Sequence, residues 1–321
     1  MLFRSLRPPI HVVGVHTDNN PVAILQSLRA GASEFLYGPF DLSIQKEAVT
    51  RLRRLVAPEP VMERGGGFAV AFTSSKPGSG ASTLAAQTSF ALARMTGKKV
   101  LLADGDLTGG TIAFYLKLAP RYSLLDGLQN VEELDGEVWR SLTTPSSGVD
   151  ILPAPQEPYA EPVDASLLKA LLAKAKEAYD WVVLDLPTVF QRTSLMGVSG
   201  CDMACLVSTA ELPSLHLTRK AFSMIDHLGF PREILKLVAN RVDKKSDFTL
   251  TDLGKLFGTK VLAKLNHDYF ALHRVVTLGQ PLNDGGELAK SIEALAQQII
   301  DAKQAKKNTN SAEVDSRVVA R

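Results

Sequence analysis

The alternation of apolar runs with helical patterns from residue 68 onward constrains the fold of this chain most strongly. Seven short runs are apolar at nearly every position rather than at every second one. Strands of that kind are buried on both faces and occur in parallel sheets that helices cover on both sides. The predicted strands are Phe68–Thr73, Val100–Ala103, Val149–Leu152, Trp181–Leu186, Ala204–Ser208, Leu235–Ala239 and Val261–Leu265.

Helical patterns fill the gaps between these strands, for example over residues 82–95, 165–178 and 215–228. A last amphipathic helix is predicted over 287–302, because Ile292, Leu295, Ile299 and Ile300 recur at helical spacing. The sequence therefore predicts an α/β domain over residues 68–303, with a mostly parallel sheet and helices on both faces.

The remaining segments are predicted to be separate from this domain. Residues 1–56 read as a small strand–helix–strand–helix module, and residues 57–67 as a linker rich in Pro and Gly. The polar tail over 304–321 is predicted to be disordered. Within the small module, the predicted strands are 10–15 and 35–36 and the predicted helices are 21–30 and 41–55.

Composition and charge narrow the classes of partner and compartment. The 321 residues include 36 Lys and Arg against 34 Asp and Glu, a formal net charge of +2, and no basic stripe stands out. We therefore expect no nucleic-acid partner. The amino terminus lacks the apolar core of a signal peptide, and no apolar run reaches about 18 residues. We expect a cytoplasmic protein.

A glycine-containing turn joins the first strand of the large domain to its first helix. Gly78 and Gly80 let the backbone turn tightly and bring its N–H groups near an anion, and the helix adds the positive end of its dipole. Ser82 stands where a Mg²⁺ ligand is needed. Compared with G-x-x-x-x-G-K-[ST], Ser75 replaces the first Gly and Ala81 replaces the Lys. A turn without a ligand remains an alternative on this segment alone.

Residues 76–83, Lys-Pro-Gly-Ser-Gly-Ala-Ser-Thr, resemble the deviant Walker A loop of the ParA/MinD ATPases, K-G-G-x-G-K-[ST]-[ST]. The resemblance implies a P-loop NTPase fold, ATP and Mg²⁺ as cofactors, and a homodimer bridged by nucleotide. It also implies that Lys76 reaches the phosphates across the dimer. Because Ala81 replaces the lysine that acts within one subunit, we expect weak or absent hydrolysis. The residues expected to cradle the nucleotide are Pro77, Gly78, Ser79, Gly80, Ala81, Ser82 and Thr83.

Three later segments agree with this resemblance. The segment 101–110 resembles switch I, which implies that Asp104 lies near the metal and that Asp106 orients the attacking water. The run 181–187 resembles Walker B, so Asp185 is expected to hold Mg²⁺ together with Ser82 and Asp104, partly through water. The segment 237–241 resembles the one whose Asn contacts adenine, which makes Asn240 the candidate for reading the base.

Two further stretches, 179–187 and 278–282, are similar to the CpaE/TadZ branch of this family. Residues 27–40 resemble the end of a response-regulator receiver domain, with Gly38 where active receivers carry Lys. We expect residues 1–56 to form a partial or degenerate receiver that cannot be phosphorylated in the usual way. The branch implies a localisation or assembly factor for a type IVb (Flp/Tad) pilus or related secretion system. Its partners would be assembly proteins that hold it at the inner membrane or cell pole.

Two other functions remain open from the sequence. The first is an active ParA/MinD-like ATPase in partitioning or division-site placement. The second is an NAD-binding oxidoreductase, because Gly78-Ser-Gly80 followed by Asp104 imitates the dinucleotide fingerprint with its ribose-binding acid.

Overall fold

A computed structural model describes residues 13–17, 34–39, 45, 66–242, 250–282 and 285–319 of the chain. Two compact units are present, Met1–Arg64 and Gly65–Arg321. In the first unit, β1 (Val13–His16) pairs in parallel with β2 (Glu34–Tyr37), near the two predicted strands. The helix predicted at 21–30 lies outside the described residues, and so does the one predicted at 41–55 except for residue 45. The receiver-like identity of this unit stays a prediction.

The second unit is built on one sheet with the strand order β10-β9-β8-β3-β7-β4-β6-β5. Every neighbouring pair is parallel except β5 and β6. The predicted α/β fold is confirmed. The strands are β3 (Phe68–Ser74), β4 (Val100–Asp104), β5 (Thr144–Ser146), β6 (Val149–Leu152), β7 (Trp181–Thr188), β8 (Met203–Thr209), β9 (Leu235–Val242) and β10 (Val261–Asn266).

Helices cover both faces of this sheet, and none in the part of the chain that the structure describes is long and apolar enough to cross a membrane. Two short 3-10 turns, Val131–Glu133 and Arg232–Ile234, accompany them. The helices are α1 (Ala81–Thr96), α2 (Ile112–Tyr115), α3 (Leu124–Gln129), α4 (Gly136–Leu142), α5 (Ala165–Ala178), α6 (Arg192–Gly200), α7 (Leu212–His227), α8 (Leu250–Phe257), α9 (Tyr269–Leu278) and α10 (Glu287–Val319).

The central strands supply side chains to two separate cores, one on each face of the sheet. On β3, Ala69 and Ala71 join the core beneath α5, α6 and α7, whereas Val70 and Phe72 join the core beneath α1 and α10. Successive strand residues point to opposite faces, so a strand that must fill two cores is apolar at every position. This is the physical reason for the continuous apolar runs in the sequence.

The strand order rules out the dinucleotide-binding alternative. In that fold the glycine-rich strand and the strand bearing the ribose-binding acid are neighbours. Here β7 lies between β3, which leads into the glycine loop, and β4, which ends at Asp104. The oxidoreductase hypothesis was wrong because a strand insertion of this kind is invisible in local sequence.

Two elements differ from the sequence-based prediction. The edge strand β5 is antiparallel and was missed, because three residues with a central Pro145 carry no apolar run. The tail predicted to be disordered from residue 304 instead continues α10 as far as Val319. Lys303 donates a hydrogen bond to the backbone oxygen of Asp180, and Lys306 forms an ion pair with Asp202. These contacts hold α10 against the rest of the domain beyond its apolar residues.

Candidate functional site

The predicted phosphate loop lies at the carboxyl edge of the sheet, the edge where the parallel strands end. Gly78 and Gly80 have φ angles of 78° and 96°, in the left-handed region that favours glycine. The backbone N–H and the hydroxyl of Ser79 both donate to the backbone oxygen of Lys76, at 3.3 and 2.8 Å. Gly80 is the N-cap of α1 and brings no capping side chain. The first N–H groups of α1 are therefore available to an anion.

Asn240, the candidate for reading the base, lies against this loop. Its buried side chain donates a hydrogen bond to the backbone oxygen of Ser79 at 2.8 Å and accepts one from the N–H of Arg241 at 2.9 Å. A Cβ atom at Gly80 would lie 2.4 Å from Nδ2 of Asn240. The end of β9 and the phosphate loop therefore fit together only with glycine at position 80.

Two buried carboxylates face each other beside the loop. Asp104 ends β4 directly opposite Asp185 of β7, and each is 1% exposed. Asp104 accepts hydrogen bonds from the N–H groups of Asp106 at 3.2 Å and Ile112 at 3.1 Å. Oδ1 of Asp185 has no hydrogen-bond partner within the described residues. A buried oxygen without a partner is rare and marks a place where a ligand or water completes the structure.

Burial and mutual repulsion destabilise the charges of this pair. Burial raises the pKa of Asp104 to about 6. Burial also raises the pKa of Asp185 well above its ordinary value, with the charge of Asp104 as the next cause, against a hydrogen bond from Ser82. No cation of the described chain is among the groups that perturb either pKa. An incoming cation would relieve this strain.

The position of the missing lysine is filled by apolar packing. Ala81 is the first residue of α1 and is buried with Phe72 and Ile112 in the core. Lys76, the other candidate cation, forms a 3.3 Å ion pair with Glu211, the N-cap of α7, and the two side chains are 33% and 57% exposed. Sequence reasoning missed Glu211. An acidic residue just after a buried strand was the available signal.

The two remaining site candidates, Asp106 and Thr83, form hydrogen bonds with neighbouring residues. Asp106 accepts hydrogen bonds from the N–H groups of Thr108 and Gly109, and it lines a cavity of about 230 Å³ together with Arg192. The hydroxyl of Tyr115 donates to Oγ1 of Thr83 at 2.8 Å, and burial raises the pKa of Tyr115 to about 12. Asp185 and Asp104 add to that pKa shift, which shows that this phenol lies within their field.

Exposed apolar side chains surround this edge. Phe114, Leu212 and Phe270 are 82, 81 and 85% exposed, and each follows the carboxyl end of a strand. Large apolar side chains that remain in water on one face of a protein indicate a contact surface.

The residues present fit a magnesium nucleotide. The loop offers backbone donors to a polyphosphate, and Asp185 next to Ser82 offers the oxygen ligands that Mg²⁺ prefers. Within the described ranges, no group of three or more His, Cys, Asp or Glu side chains could hold a metal ion by itself. Mg²⁺ is usually bound by one or two carboxylates together with phosphate oxygens and water.

Comparison with known proteins places the second unit in a family. The model of the ParA family, described as NUBPL iron-transfer P-loop NTPase, matches residues 68–271. The septum site-determining protein MinD of Thermotoga maritima is 24% identical over 242 residues, which cover 73% of this chain and 88% of that protein.

Two solved structures share the fold. A ParA family ATPase from Chlorobium tepidum superposes with a TM-score of 0.65 at 22% identity, covering 72% of this chain and 98% of that one. MinD from Pyrococcus horikoshii, in complex with Mg-ADP, superposes with a TM-score of 0.59 at 23% identity, covering 73% and 96%. Since the family match spans more than half of the sequence, this chain belongs to the ParA family of P-loop NTPases.

Proposed function

We propose that this protein binds ATP with Mg²⁺, forms a nucleotide-bridged homodimer and acts as a spatial localisation factor with weak or no ATP hydrolysis. The observation that carries the proposal is the buried pair of Asp104 and Asp185: Ser82 hydrogen-bonds the carboxylate of Asp185, yet its Oδ1 has no partner among the described residues. Two buried carboxylates without a nearby cation, next to a loop that can bind an anion, suit a ligand that brings both charges, such as Mg²⁺ with a polyphosphate.

In this proposal the loop residues 76–83 bind the phosphates, and Ser82, Asp104 and Asp185 hold Mg²⁺, partly through water. The metal would supply positive charge to the phosphates. Asn240 turns from the loop backbone toward the base, and Asp106 positions water. Because Ala81 supplies no ammonium, charge that develops during phosphoryl transfer is poorly stabilised, so turnover is slow.

Association of two copies rests on the carboxyl edge. The family resemblance implies that Lys76 contacts the nucleotide of the partner subunit, which requires Lys76 to leave Glu211. That ion pair is partly exposed and therefore weak, so a nucleotide can displace it. Phe114 and Leu212, both exposed at this edge, supply apolar surface for the contact.

A titration with a fluorescent ATP analogue and Mg²⁺, followed by size-exclusion chromatography with and without ATP, tests the proposal. We expect saturable binding and a shift to a dimer, and Lys76→Ala should abolish the shift. Lys220→Ala, at an exposed position of α7, is the matched control and should behave as the wild type. Absence of binding would leave the fold as a structural platform and reject the proposal.

For the cellular role, we propose placement of a division or envelope assembly at the cytoplasmic face of the membrane. Similarity to septum site-determining proteins favours division-site placement. The second candidate is the CpaE/TadZ-like pilus or secretion role, supported by Ala81 and by the receiver-like residues 27–40, which would recruit partners. Deletion of the gene distinguishes them: misplaced septa indicate the first role, and loss of surface pili with normal septa indicates the second.

A further inference from the structure

Two grooves meet at the amino edge of the sheet, the edge opposite the nucleotide site. The first has a volume of about 870 Å³ and lies between the end of α1, the β5–β6 turn and residues 275–282. The second has a volume of about 630 Å³ and lies between α4, the end of α5 and the same turn. Both are lined by Gly97, Lys98 and Gly148, so they form one continuous groove on either side of Lys98.

The lining of this groove is amphipathic. Phe90, Val275 and Leu282 line its first part, each 5% exposed or less, and Leu278, also in the lining, is 52% exposed. The second part is lined by Lys99 and Arg140. A concave surface with apolar walls and a few charged groups is typical of a binding site.

The lining carries more basic than acidic side chains, and one of the basic ones, Arg94, is paired with Glu293 at 2.6 Å. Lys98 and Lys99 are exposed, and neither ammonium forms an ion pair within the described residues. Arg140 is 3.9 Å from Glu137, and both side chains are largely in water, so that contact is weak. The one acidic side chain in the lining, Asp150, already accepts a hydrogen bond from Tyr179.

The basic character extends past the groove. Burial lowers the pKa of Lys303, and the charges of Lys307 and Lys98 lower it further against two nearby aspartates. Lys98 thus has two further lysines near it, together with two aspartates.

We propose that this groove, centred on Lys98 and Lys99 between two concave walls, binds an acidic polypeptide segment that inserts an apolar or aromatic side chain. The charge complementarity selects the acidic groups, and the exposed side chain of Leu278 selects the apolar one. Pro145 at the centre of the edge strand β5 has no N–H to donate, so recognition relies on side chains rather than on strand addition. The phosphates of a bilayer surface or of a nucleic acid would use only the positive charge, whereas an acidic polypeptide with an apolar side chain uses both features of the lining.

The test uses the full chain and a fluorescently labelled random copolymer of glutamate and tyrosine as the probe. Poly-glutamate, duplex DNA and vesicles containing phosphatidylglycerol are the comparison ligands. We expect the copolymer to bind more tightly than poly-glutamate and its binding to weaken as salt rises, because exposed charge pairs are screened. DNA and vesicles should bind weakly or not at all.

The double variant Lys98→Glu/Lys99→Glu should weaken copolymer binding by about tenfold or more. The matched control Lys255→Glu/Lys260→Glu changes two exposed lysines elsewhere by the same charge and should leave binding unchanged. Leu278→Ser should remove the preference for the copolymer over poly-glutamate. Nucleotide binding equal to that of the wild type verifies the fold of each variant.

Equal loss in both double variants would mean that binding follows net charge and not this groove, and the proposal would be overturned. Stronger binding of DNA or vesicles than of the copolymer, lost in the same Lys98 and Lys99 variant, would overturn it in favour of the other ligand class.

Discussion

The two edges of the central sheet treat buried acids in opposite ways. At the amino edge, Asp202 accepts hydrogen bonds from the N–H of Ala69 at 2.8 Å and forms ion pairs with Lys176 and Lys306. At the carboxyl edge, Asp185 retains an oxygen without a partner among the described residues. The chain itself supplies partners to the acid at one edge, whereas an acid at the other edge is left for a ligand to complete.

The pKa values follow this difference. Burial acts to raise the pKa of Asp202, but the hydrogen bonds and charges of Lys176 and Lys306 outweigh it and hold the pKa below its ordinary value. Asp104 and Asp185 have hydrogen bonds but no cation to offset their burial, so their pKa values rise. The charges of Asp104 and Asp185 thus lower the stability of the folded protein at the carboxyl edge, where they are positioned to bind a ligand.

Ala81→Lys tests the comparison most strongly, because it supplies the cation that the carboxyl edge lacks. If the rest of the site is complete, we expect ATP turnover to rise by about 10²-fold, since an ammonium near the phosphates stabilises developing charge. Phosphate release measures the rate. Ala81→Met adds similar length without charge and should leave turnover unchanged. Equal rates in both variants would show that other catalytic parts are also absent.

Gly80→Ala and Gly97→Ala compare the two ends of α1. Both glycines have positive φ angles, 96° and 62°, so each substitution strains the backbone by about 1 kcal/mol or more. Only at Gly80 does the new Cβ collide with Asn240, because no described residue lies within 4 Å of a Cβ at Gly97. We expect Gly80→Ala to weaken binding of the fluorescent ATP analogue by about 30-fold and Gly97→Ala to leave it unchanged. Similar affinities would mean that the loop is not the binding element.

Much of this fold could be predicted from the sequence, because its signals are local. The apolar runs predicted β3 and β7 within two residues at their ends, and the helical spacing predicted the buried stripe of Ile292, Leu295 and Ile299. Strand order could not be predicted, since the insertion of β7 between β3 and β4 depends on long-range pairing. The short strand β5 carries too few residues for any pattern.

The features of the candidate site also divide into those with a local sequence signal and those that depend on long-range contacts. The loop and the acids at strand ends could be found, because turn chemistry and an acid after an apolar run are visible in sequence. The ion pair of Lys76 with Glu211 and the hydrogen bond of Tyr115 to Thr83 join residues far apart in the chain. Such contacts depend on the packing of α7 and α2 against the loop, which local pattern does not encode.

Asp185→Asn and Asp202→Asn should change stability in opposite directions, by about 1.5 kcal/mol each. Because the pKa of Asp185 is raised, the stability it provides is present below its ordinary pKa of 3.8 and is lost as pH rises through the raised value. The amide avoids that loss, so the variant should be more stable than the wild type at about pH 8 without nucleotide or Mg²⁺.

The pKa of Asp202 is lowered in the folded protein. The stability that its charge contributes is therefore present above pH 3.8 and is lost as the pH falls through the lowered pKa. Asp202→Asn should therefore melt at a lower temperature than the wild type near pH 8, and the difference should shrink as the pH falls below 3.8. Thermal unfolding across pH, with EDTA present, measures both variants. Destabilisation by both at about pH 8 would show that Asp185 is already compensated.

Tyr115→Phe and Tyr179→Phe give the smallest and most selective comparison. Tyr115 donates to Thr83 at the carboxyl edge, and Tyr179 donates to Asp150 at 3.0 Å near the amino edge. Each substitution removes one partly or fully buried hydrogen bond, so each should lower the free energy of unfolding by about 1 kcal/mol. Only Tyr115→Phe should also weaken nucleotide binding, by about fivefold, because Thr83 follows Ser82 in the first turn of α1. Parallel chemical unfolding and nucleotide titration separate the two effects. A loss of affinity shared by both variants would show that the edges are coupled through the sheet, and the independence of the carboxyl edge would have to be abandoned.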